Sequence, residues 1–181
     1  MRWPAQRIVW YLLLSLPLCV FLPVNSYAGE QGLTIGYGFA ALNSHTVTGE
    51  VEGGKKYDFL QVTYLYESPY WKQVSFVAEP FAAYINRPES GVDVGLDLLL
   101  RWYPSNSARS GLFFDVGVGA AYTSISFEEQ GTHLLGILVG GIGFRYKTFF
   151  IEDRFRHYSN GNTASPNRAV DANIISVGTY F

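Results

Sequence analysis

Near the end of the chain a histidine and a serine stand two apart, in RHYSNGNTASPNRAVD (156–171), and an aspartate closes the segment. A serine hydroxyl is a weak nucleophile until a base takes its proton, and the base works best when a carboxylate holds its other nitrogen. Ser159, His157 and Asp171 are the residue types for that chemistry. On an extended strand, residues i and i+2 project to the same side, about 6–7 Å apart at the backbone. Asn160 and Gly161 follow the serine and offer a side-chain amide and an exposed N–H to an oxyanion forming there. Asp153, four residues before His157 and on the same strand face, is a reserve acid. By pattern alone H-x-S recurs by chance, and a polar rim loop is the bland reading; both stay open at this level. His45 and His133 read as solvated rim residues, since no H-x-x-x-H spacing or acidic cluster suggests a metal ligand set. Neither a metal nor a cofactor is expected.

The elements that must position these residues are strands. The chain has 181 residues, within reach of one domain, and its 15% charged content lies well under the roughly 25% of soluble proteins. Aromatics make up 17% and glycines number 19, a mix that suits β-structure with many turns. Mean hydropathy is only +0.08, and no window after residue 29 offers the apolar run that a membrane helix needs. The alternation predicts eight strands, near 33–41, 55–66, 73–86, 91–103, 110–124, 133–147, 149–159 and 172–181. In GVDVGLDLLLRWYP (91–104), Val92, Val94, Leu96, Leu98 and Leu100 oppose Asp93, Asp97 and Arg101. In FFIEDRFRHYSN (149–160), Glu152, Arg154, Arg156 and Asn160 oppose a face of Phe149, Ile151, Asp153, Phe155, His157 and Ser159. A soluble lipocalin-type barrel would turn the apolar face inward; a small membrane barrel turns it outward and fills its lumen with paired charges. Lipid tolerates no open sheet edge, so the sheet must close. The expectation is an all-β, eight-stranded antiparallel transmembrane β-barrel of the outer membrane. Tyr66, Tyr70, Trp71, Trp102, Tyr103 and Tyr180 at strand ends are expected in its aromatic girdles.

Residues 1–28 read as a cleaved signal peptide and 29–181 as a single barrel domain. Arg2 and Arg7 precede an apolar stretch over 8–24, interrupted by Pro17 and Pro23, and SYA (26–28) places small residues before Gly29. The single cysteine, Cys19, lies in this segment, so the mature chain is expected to have no disulfide and no thiol nucleophile. The mature chain would carry 11 basic and 15 acidic residues, no argument for a nucleic-acid partner.

With both ends of an even barrel in the periplasm, the long connections at 42–54, 125–132 and 160–171 face the cell exterior. Only 87–90 is a short outer loop; 67–72, 104–109 and 147–148 are inner turns. The seventh strand then runs outward. Parity sets His157, Ser159 and Asp171 on neighbouring strands and on one lipid-facing side, at the outer leaflet. Glycines in VGVGAAY (116–122) and GIGFRY (141–146) lie in strands and are not phosphate loops.

RHYSN, then Pro166-Asn167, then an acid at 171 resembles the C-terminal signature of the PagL-type lipid A 3-O-deacylases, over roughly 156–171. The resemblance implies an outer-membrane esterase that hydrolyses an ester-linked acyl chain, at the 3-O position, of lipid A in lipopolysaccharide. It implies Ser159 as nucleophile, His157 as general base and Asn160 as oxyanion donor. The family's acid is usually Glu, and this chain has Asp171, one methylene shorter. The alternating strand that ends on Phe181 resembles the signal by which bacterial outer-membrane barrels engage their assembly machinery. Lipid A and outer-membrane lipids are the expected partners, with a homodimer as a further expectation. The alternatives are a non-enzymatic barrel with a structural or adhesive role, and another lipid A-modifying barrel such as an acyltransferase, which would need an apolar slot in the lumen.

Overall fold

Period-two patterning of this kind leaves each strand with one wet-natured and one oily face, and the chain resolves both by closing on itself. The computed structural model describes residues 29–41, 50–51, 55–105, 108–127 and 129–181. The expected signal peptide, most of the first outer loop and His45 lie outside the described residues. The strands are β1 (Glu30–Ala40), β2 (Glu50–Val51), β3 (Lys55–Lys56), β4 (Asp58–Trp71), β5 (Val74–Arg87), β6 (Gly91–Trp102), β7 (Gly111–Thr123), β8 (Leu134–Tyr146), β9 (Phe149–Ser159) and β10 (Val170–Tyr180). Eight of them close an antiparallel barrel in the order β1-β10-β9-β8-β7-β6-β5-β4, while β2 and β3 pair only with each other beyond its rim. β1 and β10 seal the cylinder through continuous pairing from Gly32↔Tyr180 to Ala40↔Ala172.

The apolar face points out. Leu33, Ile35, Val62, Leu96, Val116, Leu138, Ile142, Ile151 and Val177 are all exposed, whereas Arg101, Arg154, Arg156, Glu79 and Asp97 are buried. A soluble barrel of this sequence would be inside out. The exposed surface is an oily band, and the membrane is the solvent that satisfies it. Among the described residues no helix is long and apolar enough to cross a membrane; the strands do it.

Buried charge is costly unless each ion is paired and its remaining lone pairs and protons are met. The lumen meets them across its diameter. Arg101 grips Asp115 with two hydrogen bonds of 2.8 and 2.7 Å, Glu152 at 3.2 Å and the Tyr180 hydroxyl at 2.7 Å. Arg154 binds both oxygens of Glu79 and also reaches Asp115 and Glu152. Arg156 bonds Gln61 at 2.7 Å and Asp97 at 2.5 Å. These residues come from strands all round the barrel, so the network ties opposite staves together.

Three expectations need correcting. Tyr103 and Tyr180 do not join the aromatic girdle: both are buried and turn inward, each with its hydroxyl on Glu67. Their rings close the lumen at the rim that holds the chain's end, against Phe113 and Phe150. The turn expected over 67–72 is narrower, because β4 continues through Trp71 and only Lys72 and Gln73 separate it from β5. Pro69 is tolerated there because the register shifts between Pro69 and Trp71, and at a bulge a missing N–H breaks no regular ladder bond. The residues at 55–56 form the outer ladder rather than the start of β4.

Candidate active site

β9 climbs from the inner rim and delivers alternate residues to opposite solvents. Glu152, Arg154, Arg156 and Tyr158 go to the lumen; Ile151, Asp153, Phe155, His157 and Ser159 go to the wall. β10 descends beside it with Asp171 directly across from His157. The register therefore forces base and acid together on one surface. His157 Nδ1 lies 2.7 Å from Asp171 Oδ1, a charge-assisted geometry that fixes the ring through one nitrogen. The histidine side chain keeps 36% of its exposure and the aspartate 15%. The expected reserve acid, Asp153, is exposed on the same face and accepts a 2.5 Å hydrogen bond from Asn173 Nδ2, away from His157.

Ser159 ends β9, and the chain turns at once. Gly161 and Asn162 both have φ of 61°, and Thr163 N donates to Asn160 O at 3.1 Å. Two successive left-handed residues inside an i to i+3 hydrogen bond make a type I′ turn, which is why glycine and asparagine sit there. The turn brings Gly161 N–H to 3.1 Å from Ser159 Oγ. The Ser159 hydroxyl donates to Asn167 Oδ1 at 3.4 Å, and the same oxygen accepts Asn160 N–H at 3.0 Å. Among the described residues no hydrogen bond joins Ser159 to His157. Hydrogen bonds of this kind are commonly long before substrate is bound.

Asn160 is placed differently from its neighbour. It is only 4% exposed, and its amide donates to the carbonyls of Gln130, Ala164 and Pro166. Its side-chain donors are committed to holding the loop, whereas the Gly161 N–H already points at the serine oxygen. Sequence reasoning missed the other half of this clasp. Gln130, fully buried in the neighbouring outer loop, donates to the carbonyls of Tyr158 and Arg168, and Arg168 N donates to Glu129 O at 2.7 Å. Gly131 passes so close to Ser165 O that a Cβ would lie 2.5 Å from it. A lone glutamine in a polar loop carries no spacing signal. By contrast, Pro166-Asn167 did mark the loop, although not that Asn167 would touch the serine. His133, expected at the rim, is exposed there and bonds Thr123 O at 2.9 Å.

A sequence model of the family described as Lipid A 3-O-deacylase (PagL) matches residues 60–180. No curated protein sequence matches the chain significantly. Among solved structures, the chain is similar to the outer membrane enzyme PagL, with 12% identity, a TM-score of 0.65 and coverage of 82% of this chain and 98% of that one. It is also similar to the N-terminal β-barrel domain of Pseudomonas aeruginosa OprF (14% identity, TM-score 0.52, 85% and 100% coverage). The Yersinia pestis outer membrane protein Ail gives 10% identity, a TM-score of 0.51 and coverage of 85% and 100%. At these identities the structural likenesses speak for the eight-stranded barrel alone.

Proposed function

Because the chain belongs to the PagL family of outer-membrane lipid A 3-O-deacylases, we propose that Ser159, His157 and Asp171 carry out the deacylation on the outer wall of the barrel. The observation that supports this reading is the 2.7 Å contact between His157 Nδ1 and Asp171 Oδ1, on the lipid-facing side and one rung below Ser159.

Ser159 Oγ attacks the carbonyl carbon of the 3-O-linked acyl ester as His157 Nε2 takes its proton. Asp171 holds the ring and stabilises the imidazolium. The carbonyl oxygen becomes an oxyanion beside the Gly161 N–H, with Asn160 acting by fixing the turn that aims that N–H. The intermediate collapses, the bond between the acyl carbon and the sugar 3-oxygen breaks, and His157 gives its proton to that departing oxygen, leaving the acyl group on Ser159. Water, deprotonated by the same histidine, then frees the fatty acid and restores Ser159. Ester and site meet within one leaflet, so the substrate enters sideways and the wall needs no aqueous pocket. The charge-filled lumen argues against the acyltransferase alternative, which would require an apolar slot there. On the same reading, residues 1–28 are the export signal, and Phe181, exposed at the inner rim, is the mark read by the assembly machinery.

Mass spectrometry of lipid A from membranes carrying wild type or Ser159→Ala tests this. Wild type should remove one ester-linked chain, and the variant should fold yet be slower by about 10⁴-fold or more. Full deacylation by Ser159→Ala would remove the serine from the mechanism.

A further inference from the structure

The outer wall of the barrel is not evenly convex. At the inner end of β10 it carries a groove of about 620 Å³, open to the side. That volume falls within the roughly 300–1,000 Å³ of small-molecule sites. The outward residues Val177 and Thr179 form its floor. Ile151 and Phe149 flank the floor on the β9 side, with Phe144 and Tyr146 of β8 beyond them. Ile35 and Leu33 of β1 flank it on the other side. Thr179 is short, and its hydroxyl donates to Tyr180 O at 3.3 Å, so its one side-chain polar group is already engaged. The proposed reactive groups lie elsewhere: Asp171 is about 26 Å from Thr179 along the same strand.

The inner mouth of the groove carries a cation. Lys147 and Thr148 alone join β8 to β9, and Lys147 has a φ of 56°. Glycine or asparagine suits a left-handed position better, so the turn itself does not call for lysine. The Lys147 ammonium lies 5.3 Å from the centroid of the Tyr146 ring, a cation–π contact that holds it beside the groove Tyr146 lines. Lys147 is exposed and makes no salt bridge among the described residues. Lys72, in the turn from β4 to β5, repeats the arrangement, with a φ of 43° and its ammonium 5.3 Å from the Trp71 ring. Of β4, however, the groove takes only Val62.

We propose that the groove holds one phospholipid of the inner leaflet, with an acyl chain over Val177 and Thr179 and its headgroup phosphate on Lys147. An apolar trough that ends at a cation on an aromatic ring matches a molecule with an apolar chain and an anionic head. Aromatic rings and basic side chains at the interface are the groups that meet such heads. The groove crosses the seam where β10 closes on β1, so a lipid seated there bridges the first and last staves. Binding only the closed barrel, it stabilises that barrel by mass action.

The test uses barrels extracted from outer membranes in mild detergent, each checked for folding by heat-modifiable gel migration. Native mass spectrometry reads the lipid retained, and titration compares phosphatidylglycerol with a diacylglycerol of the same chains. Wild type should retain one phospholipid, and diacylglycerol should bind about tenfold more weakly than phosphatidylglycerol. Lys147→Glu should weaken phosphatidylglycerol by about tenfold or more, because an attraction becomes a repulsion. Thr179→Trp should lose the lipid by filling the floor, and Thr179→Phe stands in if that variant fails to fold. Lys72→Glu, and Val116→Trp on the outward face of β7, should behave as wild type. Full retention in both Thr179 variants would overturn the proposal. So would diacylglycerol binding as tightly as phosphatidylglycerol, an unchanged affinity in Lys147→Glu, or an equal loss in Lys72→Glu. A wild type that runs as a lipid-free dimer, broken by Thr179→Trp, would give the groove to a second copy of the chain instead.

Discussion

The inward and outward faces of β9 use the same kinds of residue for different ends. Inward, Arg154 and Arg156 are answered by Glu79, Asp115, Asp97 and Gln61 from strands across the lumen. Outward, Asp153 and His157 find their hydrogen-bond partners among the described residues on the adjoining strand, because the wall faces lipid. A closed interior demands reciprocity, and its polar groups become fasteners. An open wall leaves capacity unused: one imidazole nitrogen is engaged by Asp171, while the other makes no hydrogen bond among the described residues and stays available to a substrate. Position relative to the pleat, rather than residue type, separates structural from chemical use.

That contrast can be broken by substitution on either face. The largest effect is expected from Asp171→Asn, which should lower kcat by about 10³- to 10⁴-fold by losing the tautomer control and charge behind His157, while heat-modifiable migration and unfolding midpoint stay close to wild type. Asp171→Glu should stay within about tenfold of wild type. A large activity loss that tracked instability in either variant would mean that the outward pair is a fastener too. Next in size is Arg154→Leu, which takes from Glu79 the cation that hydrogen-bonds both of its oxygens, while Glu152 keeps Arg101 and Ser176. It should cost about 3–5 kcal/mol in urea unfolding from lipid vesicles, with kcat of the folded fraction nearly unchanged. Stability equal to wild type would show that the lumen network is not what holds the staves. The smallest effect is expected for Asp153→Leu, which removes a carboxylate from an apolar wall. Deacylation should remain within about threefold, since the proposed acid is Asp171, and stability should rise by up to about 1 kcal/mol. A collapse of activity would make Asp153 the working acid.

How much of this the sequence carried follows from the range of each interaction. Strand existence and the outward parity of His157, Ser159 and Asp171 were readable because period-two alternation is a local signal repeated over many residues. The placing of His157 and Asp171 side by side followed from their standing at the ends of two consecutive strands with the same parity. Tyr103 and Tyr180 were misjudged because an aromatic at a strand end suits a girdle or a plug equally, and the choice depends on Glu67, distant in the chain from both, and for Tyr180 also on Arg101. The same holds for the clasp of Gln130 and Asn160, made between two loops that alternation cannot register. Pro69 read as a turn because a bulge that accommodates proline has no signature of its own.

The barrel carries its proposed reactive groups on its outer surface, and this fixes the geometry of encounter. A site reached from the side meets its substrate in two dimensions, where abundance is counted per unit area of leaflet rather than per volume of water. Neither arrival nor departure then requires a fatty chain to cross an aqueous gap, and both products are released into the medium that already dissolves them. Turnover on such a wall responds to how tightly neighbouring lipids are packed. Anything that stiffens or thins that leaflet would change the rate of a site whose own atoms have not moved.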